Sequence, residues 1–178
     1  DLGCGIGRHL VFLESLGYQT YGMDISPTGI LYSRKWLQEK GHTARVLMAD
    51  MTSLPYASSS FHVIISTYVI HHNTLADIRE TVQEIQRLLI PGGTVLLIIP
   101  STRGYRHDKG VQLEAGTIIP DTGQDSGIPH HYFSLDEIAR ELAAYIIHEV
   151  KLNEAMNDDG YLSSHWYIRA EKPRETSS

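Results

Sequence analysis

The stretch Asp1-Leu2-Gly3-Cys4-Gly5-Ile6-Gly7 decides the fold. It sets glycine at three alternate positions. Residues 8–16 follow, with Leu10, Leu13 and Leu16 on one helical face and Gly17 as the stop. Such glycines let backbone approach a ligand closely and take φ values that other residues avoid. The same spacing also serves a plain tight turn from strand to helix. A loop of this kind is fed by a strand, and only Asp1 and Leu2 are present to be its end. The expectation is that an N-terminal strand and helix region is missing. A polypeptide beginning at Asp1 is then expected to be unstable or aggregation-prone, because the neighbours of a central strand lose their partner.

Outward from that loop, helix and strand alternate. Residues 18–23 read as a strand ending at Asp24. Ser26 caps a helix with Pro27 at its first position, which runs towards Lys40 and stops at Gly41. Residues 45–49 read as a strand ending at Asp50, and 62–66 as another. Residues 74–89 carry Ile78, Val82, Ile85 and Leu89 at helical spacing, and Pro91-Gly92-Gly93 breaks that helix. Residues 94–99 form a strand apolar at its last five positions, as expected of one covered on both faces. The alternation predicts an α/β, Rossmann-like open sheet, mostly parallel, with helices on both faces. A late helix over 135–144, capped by Ser134, precedes two strands at 146–152 and 161–170, expected as an antiparallel C-terminal pair. A single domain over 1–172 follows. Residues 101–133 are read as a lid or substrate loop without regular pattern, and 173–178 as a disordered tail.

Composition bounds the function. A chain of 178 residues with 42% hydrophobic and 20% charged residues is long and apolar enough for one packed core. A net charge of -6 argues against a broad nucleic-acid-binding face. The one basic cluster, Arg103, Arg106 and Lys109, sits beside Asp108 as a solvated loop. A lone cysteine, Cys4, excludes an intrachain disulfide and suits a reducing, cytoplasmic setting. No apolar run reaches membrane-span length.

Ligands of open α/β sheets bind beyond the carboxyl ends of the strands, so the residues after each strand are the candidates. A dinucleotide fingerprint would need glycine or alanine where Arg8 or Leu10 stands, which weakens an NAD-dependent oxidoreductase. The opening instead resembles the D-x-G-x-G-x-G loop of class I S-adenosylmethionine-dependent methyltransferases of the small-molecule type. Ala49-Asp50-Met51, and 88–94 with its Pro-Gly-Gly, resemble later segments of that family, so the likeness covers residues 1 to about 100. The resemblance implies S-adenosylmethionine as cofactor. Asp1 would orient its ammonium, with Gly3, Cys4 and Gly5 wrapping its methionine end. Asp24 would hold the ribose, Ile25 and Met51 the adenine faces, Asp50 the exocyclic amine, and Ser66 or Thr67 the methionine part. For Asp24 the plain alternative is an acid capping the next helix; for Asp50, a surface turn residue.

The same resemblance puts His71 and His72 near the transferred methyl group, and His131, in His130-His131-Tyr132-Phe133-Ser134, near a small-molecule acceptor. His71 and His131 are the candidate catalytic residues, since imidazole titrates near neutral pH. The alternative is that His71-His72 merely opens a helix capped by Asn73 or Thr74. Tyr68, Tyr105, Tyr132 and Phe133 are candidate aromatic walls or plain packing. No metal site is expected, because neighbouring side chains of an extended segment diverge and no Cys or acid completes either histidine pair. The expected activity is methyl transfer to a small molecule, without nucleic acid or membrane. A truncated or inactive methyltransferase-like protein, or an oxidoreductase, are the alternatives.

Overall fold

A computed structural model describes residues 1–174 except 44, 124 and 159. Helix α1 spans Arg8–Ser15, β1 Gly22–Asp24, α2 Pro27–Glu39, β2 Val46–Met48, β3 Phe61–Thr67, α3 Leu75–Leu88 and β4 Leu89–Pro100. Next come β5 Val111–Glu114, β6 Thr117–Ile119, β7 His130–His131, α4 Leu135–Glu141, β8 Ile146–Met156 and β9 Leu162–Glu171. Helix starts follow the side chains: Ser26 Oγ accepts from Gly29 N at 3.1 Å, Thr74 Oγ1 from Asp77 N at 3.3 Å and Ser134 Oγ from Glu137 N at 3.2 Å.

β1 and β2 pair in parallel, as do β3 and β4; β9 runs antiparallel between β4 and β8. Leu2 joins the two sets. It bridges Met23 in parallel and donates its N–H to Ile65 O at 2.8 Å. The order across the molecule is therefore β2-β1-Leu2-β3-β4-β9-β8, a mostly parallel Rossmann-like sheet with an antiparallel C-terminal pair.

Helices lie on both faces. Leu10, Ile30 and Leu37 pack with Cys4 and Val46 on one side, whereas Ile78, Ile85, Ile138 and Leu142 pack with Ile64, Val95 and Leu97 on the other. Within β2, Val46 joins the first cluster and its neighbour Leu47 packs on the second, as strand alternation requires. The cover is uneven. Val63 and Leu96, opposite the larger cluster, stay 53% and 38% exposed, so the apolar run of β4 is sealed on one face only.

Several boundaries differ from those read in the sequence. The strand expected over 18–23 is confined to Gly22–Asp24. Pro91-Gly92-Gly93 does not separate helix from strand, because β4 begins at Leu89. Gly92 takes φ 80° and donates to Lys172 O at 2.9 Å, and Lys172 N returns a bond to Gly93 O, so pairing with the end of β9 absorbs the turn. Residues 101–133 are not pattern-free: β5, β6 and β7 make a three-stranded antiparallel sheet that turns at Gly116, φ 78°. The late helix ends at Glu141, and β8 runs on to Met156. Of the tail expected over 173–178, residues 175–178 lie outside the described residues.

Candidate active site

The opening loop is built by its neighbours. Gly3 and Cys4 both donate to Met23 O, at 2.9 and 2.8 Å, and Gly5 N donates to Asp24 Oδ2 at 2.7 Å. Gly3 takes φ 77°, and a Cβ there would overlap the methyls of Val69. Gly5 takes φ 50° with open space where its Cβ would be. Only glycine satisfies both positions without strain. Cys4 turns its side chain into the α1–α2 core, and burial pushes its thiol up to about 11, so it contributes backbone rather than sulfur chemistry.

The strand-end acids meet this loop in different states. Asp1 has a side chain 2% exposed whose two oxygens have no hydrogen-bond partner; His9 Nδ1 lies 3.4 Å from Oδ2. A buried carboxylate left this way is costly unless something basic answers it. Asp24 binds Gly5 N through one oxygen and Ser26 N, at 2.8 Å, through the other, so it both ties the loop and leads into α2. Each oxygen keeps a further lone pair. Asp50 is exposed and accepts from the N–H and hydroxyl of Thr52, which hold its carboxyl below the usual range. Ile25, 69% exposed, lies beside Asp24.

These groups share one edge of the sheet. Ala49 N bonds Asp24 O at 3.2 Å, Asn73 Nδ2 reaches Met51 Sδ at 3.5 Å, and Val69 packs over Gly3. The loop, both strand-end acids and the segment after β3 therefore close on one another. Ser66 does not reach this edge. It is fully buried and gives its hydroxyl to Leu2 O at 3.1 Å, fastening the central strand to β3. Tyr68, just beyond β3, takes φ 60°, unusual for a residue with a Cβ, and its hydroxyl lies 3.3 Å from that of Tyr167. Of the other expected aromatic walls, Tyr132 and Phe133 are buried, and Tyr105 stacks on Tyr161 at 4.0 Å.

The histidines sort differently from the sequence reading. His131 is fully buried, its Nδ1 2.7 Å from Thr117 Oγ1 and its Nε2 3.3 Å from Glu137 Oε2 without the alignment of a hydrogen bond. It links the small sheet to the first turn of α4. His130 is the residue that meets His71 and His72, with ring centroids 5.5 and 4.5 Å away. Adjacent strand residues point to opposite faces, so β7 delivers one histidine to each side. Neither histidine pair converges alone, but His71, His72 and His130 bring one nitrogen each within 4.8 Å of one another. Burial, then the neighbouring imidazoles, hold His71 well below its usual range, and its Nδ1 has no hydrogen-bond partner. His130, weighed in the sequence only as one of a histidine pair, is thus the member of that pair that stands beside His71 and His72.

A glycine loop closing a central parallel strand, with acids at the ends of the next two, defines a Rossmann-like nucleotide-cofactor domain. Residues 1–97, more than half of the chain, match the family model described as a methyltransferase domain. The chain belongs to this family, the class I S-adenosylmethionine-dependent methyltransferases. It is 29% identical over 99 residues to the uncharacterized methyltransferase YcgJ of Bacillus subtilis, covering 55% of this chain and 38% of that protein. It is 32% identical over 120 residues to the mouse tRNA (carboxymethyluridine(34)-5-O)-methyltransferase ALKBH8, covering 66% of this chain and 17% of that protein. The chain thus spans well under two thirds of these relatives. A SAM-dependent methyltransferase structure from Methanosarcina mazei superposes with a TM-score of 0.84 at 23% identity, covering 98% of this chain and 92% of that one, which confirms the fold. Among the described residues no helix is long and apolar enough to cross a membrane.

Proposed function

We propose that this chain binds S-adenosylmethionine in the opening loop and transfers its methyl group to a small-molecule acceptor. The observation that carries the reading is Asp1, whose carboxylate is buried, without a hydrogen-bond partner and set at the loop, where it can receive an ammonium group. The cofactor supplies an electrophilic methyl on a sulfonium centre. Asp1 would hold its ammonium, and the backbone of Gly3, Cys4 and Gly5 its methionine end. The free lone pairs of Asp24 suit ribose hydroxyls, Ile25 and Met51 offer apolar faces to adenine, and Asp50 accepts from its amine. Methyl transfer is an in-line displacement, so alignment supplies most of the rate. His71, kept neutral by burial, offers a nitrogen lone pair on the acceptor side.

Two observations favour a small acceptor over tRNA. The net charge is -6, and Arg103, the head of the one basic cluster, is held by both oxygens of Glu154 at 2.9 and 3.2 Å. A lone buried cysteine suits a reducing, cytoplasmic setting. The test is calorimetry of the folded protein with S-adenosylmethionine and, separately, NAD. Binding of the first alone is expected, weakened about tenfold or more by Asp1→Asn, the equivalent of losing a charge-assisted bond. That variant should hold or gain stability, since an unpartnered charge leaves the interior. Equal affinity of wild type and Asp1→Asn would remove the loop assignment, and NAD binding would restore the oxidoreductase reading. Label transfer to tRNA instead of a small-molecule panel would change the acceptor class.

A further inference from the structure

We infer that His71, His72 and His130 form a binding site for a divalent first-row metal ion of the zinc type. Three imidazoles from two distant segments meet here, each with a nitrogen within 4.8 Å of the other two. His71 and His72 close the turn after β3, and β7 carries His130 to them through the bond from His131 N to His71 O, 2.8 Å. This is the convergence that either histidine pair alone lacks.

The hydrogen bonds fix which nitrogen of His130 is free. Its Nδ1 lies 3.0 Å from Ile128 O, and a carbonyl only accepts, so Nδ1 carries the proton. Metal-ligating histidines are commonly oriented by such a bond to a backbone carbonyl. The remaining Nε2 stands 3.6 Å from Asp125 Oδ2. An imidazole lone pair and a carboxylate oxygen repel at that distance unless a cation lies between or beside them. His71 adds a buried Nδ1 with no hydrogen-bond partner. A proton on His130 would satisfy Asp125 but would leave Nδ1 of His71 without a partner and place a positive charge against His72. An ion uses all three nitrogens at once and puts Asp125 beside its charge. Imidazole suits zinc and its neighbours among the divalent metals. With metal–nitrogen distances of about 2.0–2.1 Å, tetrahedral ligand atoms stand roughly 3.4 Å apart, so nitrogens within 4.8 Å of one another need to draw in by at most about 1.4 Å.

The site stands whether or not the cofactor reading holds. If that reading holds, an ion held here would engage a nitrogen of His71 and supply Lewis-acid chemistry on the acceptor side, so turnover would depend on metal.

The experiment uses untagged protein stripped with chelator, titrated with zinc chloride by calorimetry and with cobalt(II) by visible absorption. One zinc per chain is expected, together with the d–d bands of a low-coordinate cobalt(II) site. Both should vanish in His72→Ala and His130→Gln and persist in His107→Ala, a surface histidine outside the cluster. Circular dichroism in chelator checks that each variant is folded. Asp125→Asn, on an exposed side chain, is expected to lower zinc affinity about tenfold or more, and it reads the site even if a histidine variant unfolds. Failure of the wild type to take up zinc, or stoichiometric uptake surviving in folded His72→Ala and His130→Gln, would overturn the inference.

Discussion

Residues 1–97 and residues 101–134 serve the same sheet edge by different means. The first region places its groups with backbone. Glycines at positive φ, N–H groups on Met23 O and acids at strand ends need only the local chain and the parallel register. The second region places its groups with side chains. Glu114 Oε1 accepts from Leu75 N at 2.6 Å and Thr117 Oγ1 at 2.9 Å, Thr117 meets His131, and Trp166 Nε1 donates to Phe133 O at 2.9 Å. Since the carboxylate of Glu114 only accepts, Thr117 donates to it and accepts a hydrogen bond from Nδ1–H of His131 in return. A backbone-set site is written in residue type and spacing. A side-chain-set site depends on which distant groups the fold brings together.

The contrast can be broken first at Gly3. Alanine there combines a left-handed φ with overlap on Val69, and the expected loss is about 3–4 kcal/mol in urea unfolding. Val69→Ala should recover part of it. Undiminished stability would mean that the loop is not set by its backbone. Next is His131→Ala, which opens a cavity and removes one of the two partners of the Thr117 hydroxyl, at about 2–3 kcal/mol. If His131 were catalytic instead, turnover would fall and stability would not.

Glu114→Gln should cost about 1–2 kcal/mol, because a neutral amide replaces the carboxylate that answers the first turn of α3. A loss confined to the small sheet, with α3 equally protected from hydrogen exchange, would separate the two regions more than the contacts allow. The smallest effect is a pH drift. His71, His72 and His165 all titrate below the usual 6.5 because burial disfavours their charged forms. Unfolded imidazoles take protons near 6.5 while the folded ones resist, so stability is complete above that pH and declines as pH falls below it. Denaturant midpoints between pH 5 and 7.5 should show the decline, and His72→Gln should flatten it.

Much of the fold was legible. Ser26-Pro27, Thr74 and Ser134 announce helix starts because capping is a bond between residues three apart. The spacing of Ile78, Val82 and Ile85 gives the buried face of α3 directly. The small sheet was not legible: β5 is largely exposed and β7 has two residues, so neither carries the alternation that marks a strand. Ser66 misled for a related reason. Its position after a parallel strand suits ligand contact, yet its hydroxyl found Leu2 O, a partner 64 residues away.

The sequence by itself determined the α/β alternation, the glycine loop and the carboxylates at the ends of its strands, since φ preference, capping and periodicity act over a few neighbouring residues. Only the tertiary structure decided that Asp1 is buried without a partner, that Asp24 spends part of its carboxylate on Gly5, and that His130 rather than His131 joins His71. Those outcomes follow from strand pairing between segments far apart in the chain. A shift of one residue in that pairing exchanges the faces on which neighbouring side chains stand.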